Sequence, residues 1–466
     1  MKIKLPAKFW LPVMLSATLH AHAGENSTTS STPSDTHCKA DASWFPHSQT
    51  PIPDGRDFDG KTNCEFHRWA WQTFLWLTQK DKNGEPVFVN MQSPYDVLGM
   101  EDRESLQPVL NKSQTPHSMD EYLQAGTEGI MIDQNGRAIY YNQYLNDEFV
   151  TFINEKKLTD PQSVQKLDPE TEFPVDAIEL KASWKIVEEG EDASDFFTMK
   201  SSVYKLVNKN GKIIVDNTQK IDVTLAMVGF HIGGVVKGHP EMIWATFEHK
   251  DNAPDVLAKG IRTEVEPDTV VSDKDWTFYK AGTPFYACNV NPANSPSLVL
   301  NEEQQTLSPI TQVCRQYAYG NDPSQTDFSV PTNIKVIQQL NKSVLANLDK
   351  SDVWSNYFEV GAIWFKGANR LKPGMDLAED TDSNYPVGSP KHQLLIGSLK
   401  LSNSTIETFT QRANTMDNCF RCHNTQYRLP PSGNTDLQPL KATNLNISHA
   451  FMNIYFWSQE MQLRDK

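Results

Sequence analysis

Hydrophobic residues along this chain change their spacing several times, and each change predicts an element. From Thr62 to Gln79 they recur at Phe66, Ala70, Phe74 and Leu77, a helical interval, behind a Thr62/Glu65 capping box. From about Gly129 the interval shortens. Asn135-Gly136 and Asn210-Gly211 each sit between two apolar runs and predict tight hairpins. Between them Ile178, Leu180, Ala182, Trp184 and Ile186 alternate with Glu179, Lys181, Ser183 and Lys185. That alternation predicts an antiparallel strand with one face in the core and the other in water. Similar runs predict strands at 221–236, 242–249, 357–365 and 394–400. Helical spacing returns at 332–349, where Thr332 or Asn333 is the cap and Ile334, Ile337, Leu340, Val344 and Leu348 form the stripe. Two further helical pieces are predicted near 404–416 and 446–463. The pattern fits an α+β fold: a central antiparallel β-sandwich or curved sheet, flanking helices and a helical C-terminal segment.

The first residues add an address. Lys2, Lys4 and Lys8 precede an apolar stretch from Phe9 to Leu19, which is followed by Ala21-His22-Ala23. This is the layout of a secretory signal cut after Ala23, and it predicts a periplasmic or secreted protein. Residues 24–37 are rich in Ser and Thr and predict a leader without a fold of its own. A large α+β domain is expected over 38–400, with a helical segment at 401–466 packed on it. Loss of the three lysines takes the formal net charge from −15 to −18, which disfavours nucleic acid as a partner. A protein partner would meet this chain through a basic or neutral contact. No run of ~18 apolar residues predicts a membrane span.

In an oxidising compartment, cysteines outside a cofactor motif read as disulfides. Cys38 with Cys64 and Cys288 with Cys314 are the expected pairs, each 26 residues apart.

The remaining two cysteines stand in Cys419-Phe420-Arg421-Cys422-His423, a CxxCH motif. Two thiols at this spacing can add to the two vinyl groups of one haem, while the adjoining imidazole binds the iron. Three other readings compete. A zinc site needs a fourth ligand and usually spaces its histidines differently. A thioredoxin-like pair needs a βαβ setting, and a Cys419–Cys422 disulfide would close a very small, strained loop. One covalent haem c is therefore the expected cofactor, with His423 as proximal ligand. Only 43 residues follow His423, so the haem is expected to pack against preceding segments. For the sixth position His449 is the expected ligand, with Met452 three residues on as the alternative.

The stretch from Phe230 to Asp255 offers a second candidate site. If residues 223–249 form a hairpin turning near Gly238–Pro240, His231 faces His249 beside Glu248, a set able to bind a metal or serve a substrate pocket. Satisfied polar residues at a sheet edge are the plainer reading. His392 and Trp364 are isolated further candidates.

Several of these segments together resemble a group of secreted bacterial proteins labelled "cytochrome c family protein". The residues that carry the resemblance are Ala70 to Leu77, Ile178 to Val187, Val228 to Pro254, Leu401 to Gln411 and the late Cys419–His423 motif. It implies a single c-type haem on a large secreted domain and no particular activity. A periplasmic monohaem cytochrome passing electrons to a redox partner is the expected function. The alternatives are a haem enzyme with an open sixth position and a small-molecule substrate pocket near 228–254, or a haem-based sensor.

Overall fold

The computed structural model describes residues 37–100, 105–108, 129–210, 212–256, 265–293, 295–321, 329–377, 394–412, 418–430 and 436–464. The expected signal segment, all but the last residue of the leader, and His392 lie outside these.

The chain has both helices and a mainly antiparallel sheet, an α+β fold. Eight strands form the sheet: β1 (Ser105–Pro108), β2 (Tyr140–Leu145), β3 (Ile178–Ile186), β4 (Thr198–Lys209), β5 (Lys212–Val236), β6 (His239–His249), β9 (Tyr357–Phe365) and β10 (Leu395–Gly397). The hairpin of β7 (Val299–Asn301) and β8 (Thr306–Ser308) stands apart. The strand order is β10-β9-β6-β5-β3-β2-β1-β4, and β4 pairs with β5 as well. Strands β5, β3, β2, β1 and β4 thus close on one another, and β6, β9 and β10 extend from the second half of β5. The result is one curved sheet. A strand of 25 residues makes this possible: β5 pairs with β4 as far as Ala226 and with β6 from Gly229. Both predicted turns form. Asn210 adopts φ 56° between the paired Lys209 and Lys212, and Gly136 adopts φ 82° where its N–H reaches the Asp133 carbonyl at 3.0 Å.

Helices α1 (Asn63–Thr78) and α5 (Ser329–Asn347) cover one face. The Thr62 N–H donates to the Glu65 carboxylate at 3.0 Å, as the capping box predicts. Phe74 stacks on Phe247 at 4.2 Å and Trp71 meets the same ring edge-on at 5.0 Å. Phe230, Ile232, Ala245 and Ala362 complete this core from the sheet side.

The other face is covered as well. It packs against α3 (Asp147–Glu155), the C-terminal coil and α6 (His449–Arg464), with Trp244, Ile363 and Phe365 meeting Phe420, Leu445, Phe451 and Phe456. The short helices α2 (Pro94–Val97) and α4 (Pro161–Lys166) lie beside α6. This second layer corrects the expectation for β3, which is buried along its whole length. Its polar residues meet protein in place of water: Glu179 and Ser183 face the segment after Leu401, Lys185 pairs with Glu191 and Lys181 lies over Tyr141. No described helix is long and apolar enough to cross a membrane.

Two more expectations change. Residues 404–409 form turns that lead into a short 3-10 turn at Thr410–Arg412, and 413–417 lie outside the described residues. Cys38 and Cys64 are bonded, whereas Cys288 and Cys314 are two separate buried thiols in one small cluster. Asn289 clamps those two segments by side-chain amide: it donates to the Cys314 carbonyl at 2.9 Å and accepts from the Cys314 N–H at 3.2 Å.

Candidate functional site

The Cys419–His423 motif folds as a single helical turn. Asn418 caps it by accepting from the Phe420 N–H at 3.0 Å. The Cys419 carbonyl accepts from the N–H groups of both Cys422 (3.1 Å) and His423 (2.9 Å). Arg428 holds the far end, donating to the Cys422 carbonyl at 2.9 Å and to Asn424 Oδ1 at 2.7 Å. Phe420 is buried and anchors the turn against Phe365, 4.9 Å away ring to ring. Two thiols and an imidazole are thereby fixed within five residues.

His423 is positioned with more care than a surface ligand needs. Its Nδ1 lies 2.8 Å from the Ile447 carbonyl. A carbonyl only accepts, so Nδ1 carries the proton and Nε2 keeps its lone pair, the tautomer a metal-binding histidine requires. Burial, and after it the neighbouring His449, hold the His423 pKa well below the usual value, so the ring is neutral. Burial and then Glu407 push the Cys419 thiol well above its usual value and keep it protonated.

Trp244 lies over His423 with 3.7 Å between ring centroids and a tilt of 33°, and His449 stacks on it at 3.9 Å. Two rings that close to a third cannot share a face of it, so they sandwich the imidazole. Trp244 lies this close because its cross-strand partner is Gly233, where a Cβ would fall 2.7 Å from the indole. The next residue, Gly234, makes the same room for Trp69 on the other side of the sheet.

His423, His449 and Trp244 share a cavity with Gln143, Glu179, Lys181, His231 and Glu407. The cavity is about 20 Å³, enough for about one water. The donors fit a c-type haem: two thiols three residues apart, and an imidazole whose Nε2 is left free by its own hydrogen bond. The cavity as it stands is too small for the macrocycle.

His449 is the first residue of α6, and its Nε2 lies 3.2 Å from the Cys422 carbonyl. Met452, one turn on, is buried in the apolar cluster. Among the described residues no three His, Cys, Asp or Glu side chains form a group suited to a bare metal ion.

The second set expected from sequence does not converge. The hairpin turns at Lys237–Gly238, so His231 faces Thr246 and Gly229 faces Glu248, three residues from the expected register. Glu248 is buried against Arg315 and Ser404, with Asp255 on the Arg315 Nε at 2.6 Å. His249 stacks on Phe196 at 3.8 Å, and burial pulls its pKa down to about 4. Only His231 of that set reaches the cavity beside His423. Trp364, the other isolated candidate, stacks on Phe66 at 4.0 Å as core.

Sequence reading missed Trp244, Glu179, Lys181 and Glu407 as lining residues. The alternation in β3 carried the signal for two of them, since Glu179 and Lys181 point to the covered face.

No family model matches the chain, and neither the curated proteins nor the solved structures yield a match.

Proposed function

We propose that this chain is a secreted or periplasmic c-type cytochrome with one haem, working in electron transfer. Cys419 and Cys422 would tether the haem and His423 would be its proximal ligand. The observation that supports this best is the capped turn of the motif, together with the Nδ1 bond to the Ile447 carbonyl that presents Nε2 as a donor. A haem held there supplies a one-electron couple. The chain's own residues set its surroundings: Trp244 and His449 fix the plane of the proximal ring, and the Glu179, Lys181 and Glu407 side chains would set the charge around it. With a net charge of −15, the chain would exchange electrons through a partner that is basic or neutral at the contact.

The test is expression with a signal in a host that matures c-type haem. Purified protein should be red, keep its haem through denaturation, and exceed the polypeptide mass by one haem. Replacing Cys419 and Cys422 by Ala should abolish covalent retention. Colourless protein of bare polypeptide mass would refute the proposal.

One observation favours a second reading, a haem enzyme with an open sixth position. The cavity wall opposite the motif carries Lys181, His231 and Glu407, groups able to handle protons at a bound substrate. Prompt binding of carbon monoxide by the reduced wild-type protein would select it.

A further inference from the structure

Another cavity, of about 640 Å³, shares no lining residue with the one beside His423. That volume suits a small-molecule ligand. Four segments wall it: the loop at 52–56, the last turn of α1 with the loop that follows it, the first turn of α3 and the entry to β3. These segments are tied to one another. Asp176 accepts from the Gly55 N–H at 2.7 Å, and the Asn146 amide donates to the Asp176 carbonyl at 2.8 Å. Asn146 Oδ1 in turn accepts from the N–H groups of Phe149 at 3.1 Å and Ile178 at 2.9 Å. The cavity is therefore preformed.

Its wall combines an aromatic face with uncompensated acid. Trp71 is buried and meets Phe74 and Phe247 edge-on. Trp76, in the last turn of the same helix, is only half-buried and lines the cavity with no ring or cation paired to it among the described residues. Around it stand five carboxylates and one guanidinium. Asp176 pairs with that guanidinium, Arg56, at 3.1 Å. The other four meet no cation among the described residues. Asp54 and Asp81 accept only from backbone and amide N–H groups. Asp147 and Glu148 lie in the first turn of α3, a place that suits the helix dipole but supplies no counter-charge. The carboxylates are also dispersed, and among the described residues no three form a group suited to a bare metal ion. A compact ion finds no cage here, whereas a ligand whose charges are spread along an apolar chain can meet the carboxylates one at a time.

We propose that this cavity binds a linear aliphatic polyamine, with one ammonium over the Trp76 ring and the others paired with Asp81, Asp147 and Glu148. Aliphatic amines are protonated at neutral pH, and an ammonium over a tryptophan face is attracted by the ring in addition to the methylene contact. The site does not depend on haem binding, since it shares no residue with the motif or its surroundings.

The experiment is calorimetric titration of purified full-length protein with spermidine. Wild type should bind one spermidine per chain saturably, and more weakly as salt is added. Octanediol, of similar length and uncharged, should not bind, and calcium at equal concentration should not displace the amine. Trp76→Leu keeps apolar bulk, removes the ring face and should weaken binding about tenfold. Asp147→Asn combined with Glu148→Gln should weaken it at least as much at low salt, and this surface pair carries the test if Trp76→Leu does not fold. Asp273→Asn, at an exposed acid outside the cavity, should leave binding unchanged. Absence of saturable spermidine binding, equal binding of octanediol, displacement by calcium, or an equal loss in the Asp273→Asn protein would overturn the proposal. So would unchanged affinity in either cavity variant.

Discussion

Glu179 offers a measurement that tests the covered face of β3 directly. Its carboxyl is buried where β3 meets the start of α6, receiving hydrogen bonds from the Ser448 hydroxyl and the Ala450 N–H. Burial outweighs both bonds and pushes its pKa from the usual 4.5 up to about 7. In the unfolded chain the proton leaves near 4.5, whereas the folded chain holds it to about 7. Between those values the native state binds the extra proton, so raising the pH favours unfolding. The stability present below pH 4.5 is therefore lost progressively as pH climbs to about 7, then stays level. At about 1.4 kcal/mol per unit this comes to about 3 kcal/mol for a group with no solvent to screen it. Glu179→Gln keeps an acceptor for both donors and removes the titration. Urea unfolding of variant and wild type, followed by tryptophan fluorescence across the pH range, gives the difference curve. It should rise in the variant's favour by about 3 kcal/mol over that window, whatever constant offset the amide adds. A difference that stays constant with pH would refute the claim that this carboxyl is buried under the C-terminal segment.

Three other substitutions have expected outcomes. His249 is held neutral by burial, with a pKa of about 4 against an ordinary 6.5, so wild type loses stability as pH falls between those values. His249→Phe should gain about 3 kcal/mol on wild type over that fall, a slope opposite to that of Glu179→Gln, measured by the same unfolding series. His67 is fully buried between Glu359 Oε1 at 2.6 Å and Asn333 Oδ1 at 2.8 Å, so His67→Ala should cost about 3–5 kcal/mol in denaturant unfolding by stranding the carboxylate; a cost below about 1 kcal/mol would mean that the pair is not desolvated. Gly229 lies under Thr405, Ser183 and Asn403, and an added Cβ would stand 2.6 Å from Ser183 Oγ and 2.8 Å from Asn403 Oδ1. Gly229→Ala should therefore cost about 1–3 kcal/mol and raise hydrogen exchange at residues 403–407; unchanged exchange there would refute the close contact.

Periodicity was most informative where a single face decides the pattern. The span of β9 and the body of α1 follow from sequence because their apolar residues meet a core of ordinary depth. The hairpin register of β5 and β6 was misjudged because the turn sits at Lys237–Gly238, and a slip of that kind moves a partner by whole residues. That slip is what separated His231 from His249. The burial of β3 on both faces was illegible for another reason: Lys and Glu at alternate positions ordinarily mean water, and only tertiary partners, two of them from the segment after Leu401, change their meaning. The motif turn was readable because its chemistry is local, yet its Ile447 carbonyl partner lies 24 residues away and no spacing rule predicts it.

The polar residues of β3 also bear on how the protein is built. Burying Glu, Lys, Ser and Lys on one strand face is costly unless each finds a partner. Two of the partners come from the C-terminal segment: the Ser448 hydroxyl meets Glu179, and Thr405 Oγ1 lies 2.7 Å from Ser183 Oγ. Lys185 pairs with Glu191 and Lys181 lies over Tyr141. Asn403 adds bonds to Thr246 Oγ1 at 2.8 Å and to the Phe247 carbonyl at 2.9 Å, and Ser404 to the Glu248 carboxylate at 2.9 Å. The polar run after Leu401 is thus complementary to the sheet face beneath it. Cys419–His423 is carried by that same segment, so the contacts that seat the segment on the sheet also place the motif. A site divided between a distant strand and a late turn can be held to within a hydrogen bond only if the layer joining them is specific, and the paired polar groups provide that specificity where apolar packing alone would let the segment slide.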